Sequence, residues 1–228
     1  MSTTPAQTGH APQPAPAELG PAEIGVGMRL SVHPHTDRFV EVILGALDDV
    51  DAAGLTEGLT IETDDVSTYV GATVAPGEQR LASYLAALVT AASRRSAGGH
   101  VVAHVLLSRG CPGEASCDLT TTRLPGAAPV VLVPGELPAV AQWSLYPLLD
   151  GDGGAGAHMS HIEEAIATAR RDGVAVAPRH YATRLAGDLS QVVATAVDAW
   201  ARVGATVPHV VTHLTLSVGS PTPVQEER

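Results

Sequence analysis

The sequence predicts an α+β protein made of two tandem βαββαβ repeats, each an antiparallel sheet with helices on one face. Three observations lead there. Short aliphatic and β-branched runs alternate with amphipathic helical segments in the order strand, helix, strand, strand, helix, strand, and the order then recurs. The closing runs of the two halves are near copies. His100-Val-Val-Ala-His104 matches His209-Val-Val-Thr-His213, and Ser108 with Ser217, Gly110 with Gly219 and Pro112 with Pro221 keep the same spacing of 109 residues. The opening runs match as well: Leu30-Ser-Val-His-Pro34 faces Trp143-Ser-Leu-Tyr-Pro147, and Thr68 faces Thr183, at spacings that drift by a few residues as loop insertions produce.

In the first repeat the opening strand is Met28 to His33, stopped by Pro34. Thr36 or Asp37 is placed to cap a helix whose Val40, Ile43, Leu44 and Leu47 follow helical spacing, and Gly54 to end it. Leu59 to Glu62 and Ser67 to Val74 flank the polar turn Thr63-Asp64-Asp65 and read as a hairpin. A helix follows Gly77 with Leu81, Tyr84, Leu85 and Leu88 on one face, and Arg94 and Arg95 in its last turn suit the helix dipole. Val101 to Ser108 closes the unit. In the second repeat, Ala141 to Tyr146 is the opening strand, and Ser160 with Glu163 reads as a capping box before Ile162, Ala165, Ile166 and Ala169. Gly173 ends that helix. Val174 to Ala177 and Tyr181 to Leu185 form the hairpin. Asp188 with Gln191 is a second capping box, opening a helix with Leu189, Val193, Ala196, Trp200 and Val203 on one face and Gly204 at its end. Val210 to Ser217 is the last strand.

These segments divide the chain into a disordered Pro- and Ala-rich tail (1–24), repeat one (25–113), a Pro/Gly/Thr linker (114–138), repeat two (139–221) and a short polar tail (222–228). Gly151 to Ala157 is a flexible loop within repeat two. A βαββαβ unit takes the ferredoxin-like plan, with its first and third strands as antiparallel central neighbours. That places Ser31, Val32 and His33 beside Asp64, Asp65 and Thr68. In repeat two it gathers Ser144, Leu145, Tyr146, His180, Tyr181 and Thr183. The plan leaves one sheet face bare, to be covered by the other repeat or by a second subunit.

The bulk numbers limit function. A net charge of −11 over 228 residues repels phosphate backbones and argues against nucleic acid. No apolar stretch is long enough to span a bilayer and no leader pattern opens the chain, so no membrane insertion and a cytoplasmic location are expected. Cys111 and Cys117 match neither a zinc spacing nor a disulfide framework, and Cys111 reads as a small turn residue rather than a nucleophile. His100 with His104, and His209 with His213, lie about 13 Å apart if extended, too far for one ion to bridge. His158 and His161 stand at a helix start beside the Gly-rich loop. No metal site is expected. Asp64 and Asp65 could read a ligand or simply form the hairpin turn.

Arg29 to Asp37, Thr63 to Thr68, Gly110-Cys-Pro-Gly113, Trp143 to Pro147, and His180 to Thr183 with Gly187-Asp188, taken in this order, closely resemble the YkoF family. The likeness covers most of Gly25 to Thr222. It implies tandem ferredoxin-like repeats, a homodimer, and one site per repeat for thiamine or its hydroxymethylpyrimidine moiety as the small-molecule ligand, with no further cofactor. It implies a binding role in uptake or salvage of the vitamin rather than catalysis, with a thiamine-precursor transporter as a candidate partner. By position, Val32 and Thr68 would be contacts in repeat one, and Leu145 and Thr183 in repeat two. His33 replaces the aromatic kept at Tyr146, and Asp65 stands where repeat two has His180, so the two sites are expected to differ. The residues also admit two other readings: a small enzyme using His33 or His180 as general base, and a repeat protein whose exposed sheet only makes dimers.

Overall fold

The structure, a computed structural model, describes residues 19–110, 124–148, 157–171 and 173–222. Its elements run β1 (Gly27–Pro34), α1 (Phe39–Ala52), β2 (Leu59–Thr63), β3 (Thr68–Ala72), α2 (Gly77–Arg95), β4 (Val101–Arg109), β5 (Pro138–Leu148), α3 (Ala157–Arg171), β6 (Ala175–Arg179), β7 (Ala182–Asp188), α4 (Leu189–Gly204) and β8 (His209–Val218). This is the predicted βαββαβ order, twice. Every strand pair is antiparallel.

The repeats do not cover one another's sheets. They join edge to edge: β4 pairs with β8 from Val101↔Val218 to Arg109↔Val210, giving one eight-stranded sheet in the order β2-β3-β1-β4-β8-β5-β7-β6. Of the two covers expected for the bare face, the other repeat is therefore ruled out. The alternation along β4 shows the two-layer design. Val101, Ala103, Val105 and Leu107 are buried, while His104 and Leu106 are exposed. The same alternation runs through β8 and β5. On the covered face α1 packs on α2, α2 on α4 and α4 on α3.

The helices mostly bury the predicted faces. Leu81, Tyr84, Leu85 and Leu88 of α2 are buried, as are Leu189, Val193, Ala196, Trp200 and Val203 of α4. Helix α1 differs. It buries Val42, Ala46 and Val50, whereas Val40 and Leu44 are more than half exposed. Apolar residues occupy more than one of its faces, so spacing alone could not choose the one turned to the sheet. Its N-cap is Arg38, with no side-chain cap bond; Thr36 Oγ1 accepts only from the Arg38 N–H. Helix α3 begins at Ala157, so Ser160 lies within it rather than at its cap. Gly54 and Gly173 have the positive φ expected of helix stops. Gly204 is instead the last helical residue of α4, and a Cβ there would strike the Arg109 side chain.

Order begins before Gly25. The turn at 21–25 is closed by Val26 N donating to Pro21 O, and Ile24 is buried. Residues 1–18 and 223–228 of the predicted tails (1–24 and 222–228), residues 151–156 of the predicted loop (Gly151 to Ala157) and the segment 111–123 with both cysteines lie outside the described residues. The described part of the linker is a strap across the helices. Val131 exchanges two hydrogen bonds with the side-chain amide of Gln79, and Val130 N donates to Asp198. Asp188 fastens the strap's end: its carboxylate accepts from the N–H groups of Ser190 and Gln191, as predicted for an N-cap, and also from those of Gly135 and Leu137. Asp188→Ala is expected to cost at least about 1–2 kcal/mol, the upper range for a lost cap, because four donors lose their acceptor. Urea denaturation of the variant measures it.

Candidate functional site

Repeat one holds a small, partly open pocket of about 50 Å³ between its sheet and its helices. Leu30, Val32 and Thr68 supply the sheet side, Ile43 and Leu47 come from α1, and Leu88 and Ala92 from α2. Leu30 and Thr68 stand directly opposite in the β1–β3 register, so both turn toward the helices. Ile43 and Leu47, like Leu88 and Ala92, are one helical turn apart and share a face. Apart from Ser31 and Thr68 the lining is apolar, and Thr68 Oγ1 lies 3.0 Å from that of Thr63. A hydroxyl there can donate or accept, which is what recognition of a heteroaromatic edge requires.

The predicted site residues divide between the two faces of the sheet, because consecutive strand residues alternate. Val32 and Thr68 face the helices. Ser31 borders the pocket, but its hydroxyl turns to the open face and meets His33 Nε2 at 3.0 Å. The His33 ring contacts His104, their centroids 5.6 Å apart, and His104 Nδ1 lies 3.2 Å from Thr215 Oγ1. The open face thus brings His33 against His104, whereas strand spacing weighed His104 only as a pair with His100. A second ring contact is His35 with His100, 4.4 Å apart.

Asp64 serves the hairpin. Its carboxylate accepts from the N–H groups of Ser67 (2.8 Å) and Val66 (2.9 Å) and from Arg29 (2.5 Å). These bonds, the Ser67 N–H foremost, hold its pKa down to about 2, against an ordinary 3.8. Because the folded value is depressed, the stabilisation is present above about pH 4 and is lost as pH falls through about 2. Amide exchange at Val66 and Ser67 is expected to quicken over that window, and a flat profile would count against the carboxylate's role. Asp65 is exposed on the same turn.

In repeat two, Thr183 stands opposite Trp143 as Thr68 does opposite Leu30. Leu145 is buried, and Ser144 Oγ donates to Tyr181 O at 3.0 Å, so the expected residues do meet at this end of the sheet. Tyr146 and His180 are exposed, Tyr146 on the open face. The counterpart of Leu30 is the decisive change. The Trp143 indole is 2 % exposed, and its Nε1 donates to Thr212 Oγ1 at 2.8 Å, filling the layer where repeat one keeps a cavity. Thr212 in turn donates to Ser144 O at 2.9 Å.

The fold is that of a tandem ferredoxin-like protein, with a small pocket between the sheet and the helices of repeat one. Comparison with known proteins agrees. Residues 138–223, which span repeat two, match the model of the YKOF-related Family. Over 196 residues, 86% of this chain and 90% of the relative, the chain is 29% identical to a protein of Bacillus subtilis (strain 168) named "Putative HMP/thiamine-binding protein YkoF". The resemblance read from the motifs therefore holds over most of the chain. Among the described residues, no helix is long and apolar enough to cross a membrane.

Proposed function

We propose that the chain binds thiamine or its hydroxymethylpyrimidine moiety, one site per repeat, in uptake or salvage of the vitamin and without catalysis. The observation that carries this reading is the shared pocket of Val32 and Thr68, the two residues to which the family likeness assigns contacts in repeat one. An aminopyrimidine would set its ring against Leu30, Val32 and Leu88 and its edge against the Thr68 hydroxyl. The pocket is smaller than the roughly 300 Å³ at which ligand pockets begin, so the ligand must displace a wall. Helix α1 is the wall that can yield, since it packs with one narrow face and leaves Phe39, Val40 and Leu44 exposed. In repeat two Trp143 must shift further, which makes that site the weaker. Neither His33 nor His180 lines the pocket, which favours binding over base catalysis.

Isothermal titration with thiamine and with hydroxymethylpyrimidine tests the reading. Thr68→Val is expected to weaken the tighter site about tenfold, the value of one good hydrogen bond, and Thr183→Val the weaker one. Absence of heat with either ligand from the folded protein would overturn it. The proposal includes a homodimer, with a second copy covering the exposed Leu106, Tyr146 and Leu148 at one end of the open face. A monomer mass in sedimentation would remove that part. A thiamine-precursor transporter remains the proposed partner, and the cytoplasm the proposed location.

A further inference from the structure

The open faces of the two repeats differ at matched positions. Leu30 pairs with Thr68 and Trp143 with Thr183, so Arg29 and Tyr69 in repeat one correspond to Gln142 and Arg184 in repeat two. In the same way Asp64 corresponds to Arg179, Gly27 to Val140 and Gly71 to Ala186. Repeat one is closed and neutral here: Arg29 is paired with Asp64, and the Tyr69 ring lies across Gly27 and Gly71, where a Cβ would meet it. In repeat two the glycine positions are held by Val140 and Ala186, and among the described residues no aromatic lies over them. A groove of about 770 Å³ opens instead, within the range of small-molecule sites.

We propose that this groove binds a phosphomonoester of a small organic molecule, with Arg184 as the principal anion contact. Arg184 is half-buried in the groove, and among the described residues no carboxylate is bonded to it. Arg179 is its diagonal neighbour on the same face, in the β6–β7 register, and Gln142 is directly opposite it on β5. A planar guanidinium offers two parallel N–H donors to two phosphate oxygens, and Gln142 adds an amide donor. Two carboxylates border the groove. Asp188 is already held by four backbone N–H groups at the start of α4, and Glu136 stands in the strap at that same end. Pro138, Val140 and Ala186 form an apolar wall for the organic part. The groove lies across the sheet from the Thr183 side of repeat two, so the assignment is independent of thiamine binding.

Titration of the full chain with phenyl phosphate, with inorganic phosphate and phenol alongside, tests this. Saturable binding of phenyl phosphate is expected, weakened at least about tenfold by Arg184→Gln and abolished by Arg184→Tyr, which restores the residue of repeat one. Thr68→Val should leave it unchanged. Matching thermal melts of the variants show that the fold is kept. No saturation, equal binding by Arg184→Gln, or equal affinity for inorganic phosphate would each overturn the proposal.

Discussion

Glu78→Gln is expected to lower the stability of the protein by about 3–5 kcal/mol, because it strands a buried cation. Arg109 ends β4 with 2 % of its side chain exposed. Its Nη1 donates to Glu78 Oε1 at 2.5 Å and its Nη2 to Pro125 O at 2.6 Å, and Gly204 makes room for its stem. Burial lowers the pKa of Arg109, and the Glu78 carboxylate opposes that fall. One guanidinium thus ties the end of repeat one, the first turn of α2, the strap and the end of α4 together. Replacing both partners by apolar residues, Glu78→Leu with Arg109→Met, is expected to be near neutral or to stabilise by about 1–4 kcal/mol, since neither charge is then buried. Urea denaturation of the single and double variants measures both effects. A loss below about 1 kcal/mol for Glu78→Gln would mean that water reaches Arg109 and that the pair does not hold the repeats together.

Trp143→Ala is expected to cost about 3–5 kcal/mol, the usual loss for a large buried aromatic side chain. The ring fills the layer between β5 and the helices of repeat two, and its removal also takes the donor from Thr212. Against typical stabilities of about 5–15 kcal/mol, this leaves a marginal fold. Leu30→Ala, at the matched position of repeat one, already borders a cavity and falls in the lower part of the about 2–5 kcal/mol range for Leu→Ala. The difference between the two losses, read from urea midpoints, reports how differently the repeats are packed. Equal losses would mean that the cavity of repeat one is filled in solution.

Much of this was legible in the residues. The matched closing strands and the periods of two and 3.6 fixed twelve elements in the right order, since strand and helix periodicity are local properties. The Asp188 cap was legible because a cap is recognised within four residues. The motifs also pointed to the family whose model matches repeat two. Thr68 and Thr183 were singled out, and both prove to stand at the same register position.

What the sequence determined by itself was the repeat, its element order and the chemical kinds of residue at each strand end. Only the tertiary structure decided how those residues are shared out. It joined the repeats edge to edge through β4 and β8, where the sequence allowed face-to-face packing as readily. It chose the Val42–Ala46–Val50 face of α1 from a helix apolar on several sides. It sent Val32 and Thr68 to the helical layer and His33 and the Ser31 hydroxyl to the other face, and it brought Arg184 and Gln142 together across two strands. The physical reason is common to all four. Local pattern states which residues prefer burial or a turn, but which surface buries them, and beside whom, depends on contacts between segments far apart in the chain, and those exist only once the sheet has formed.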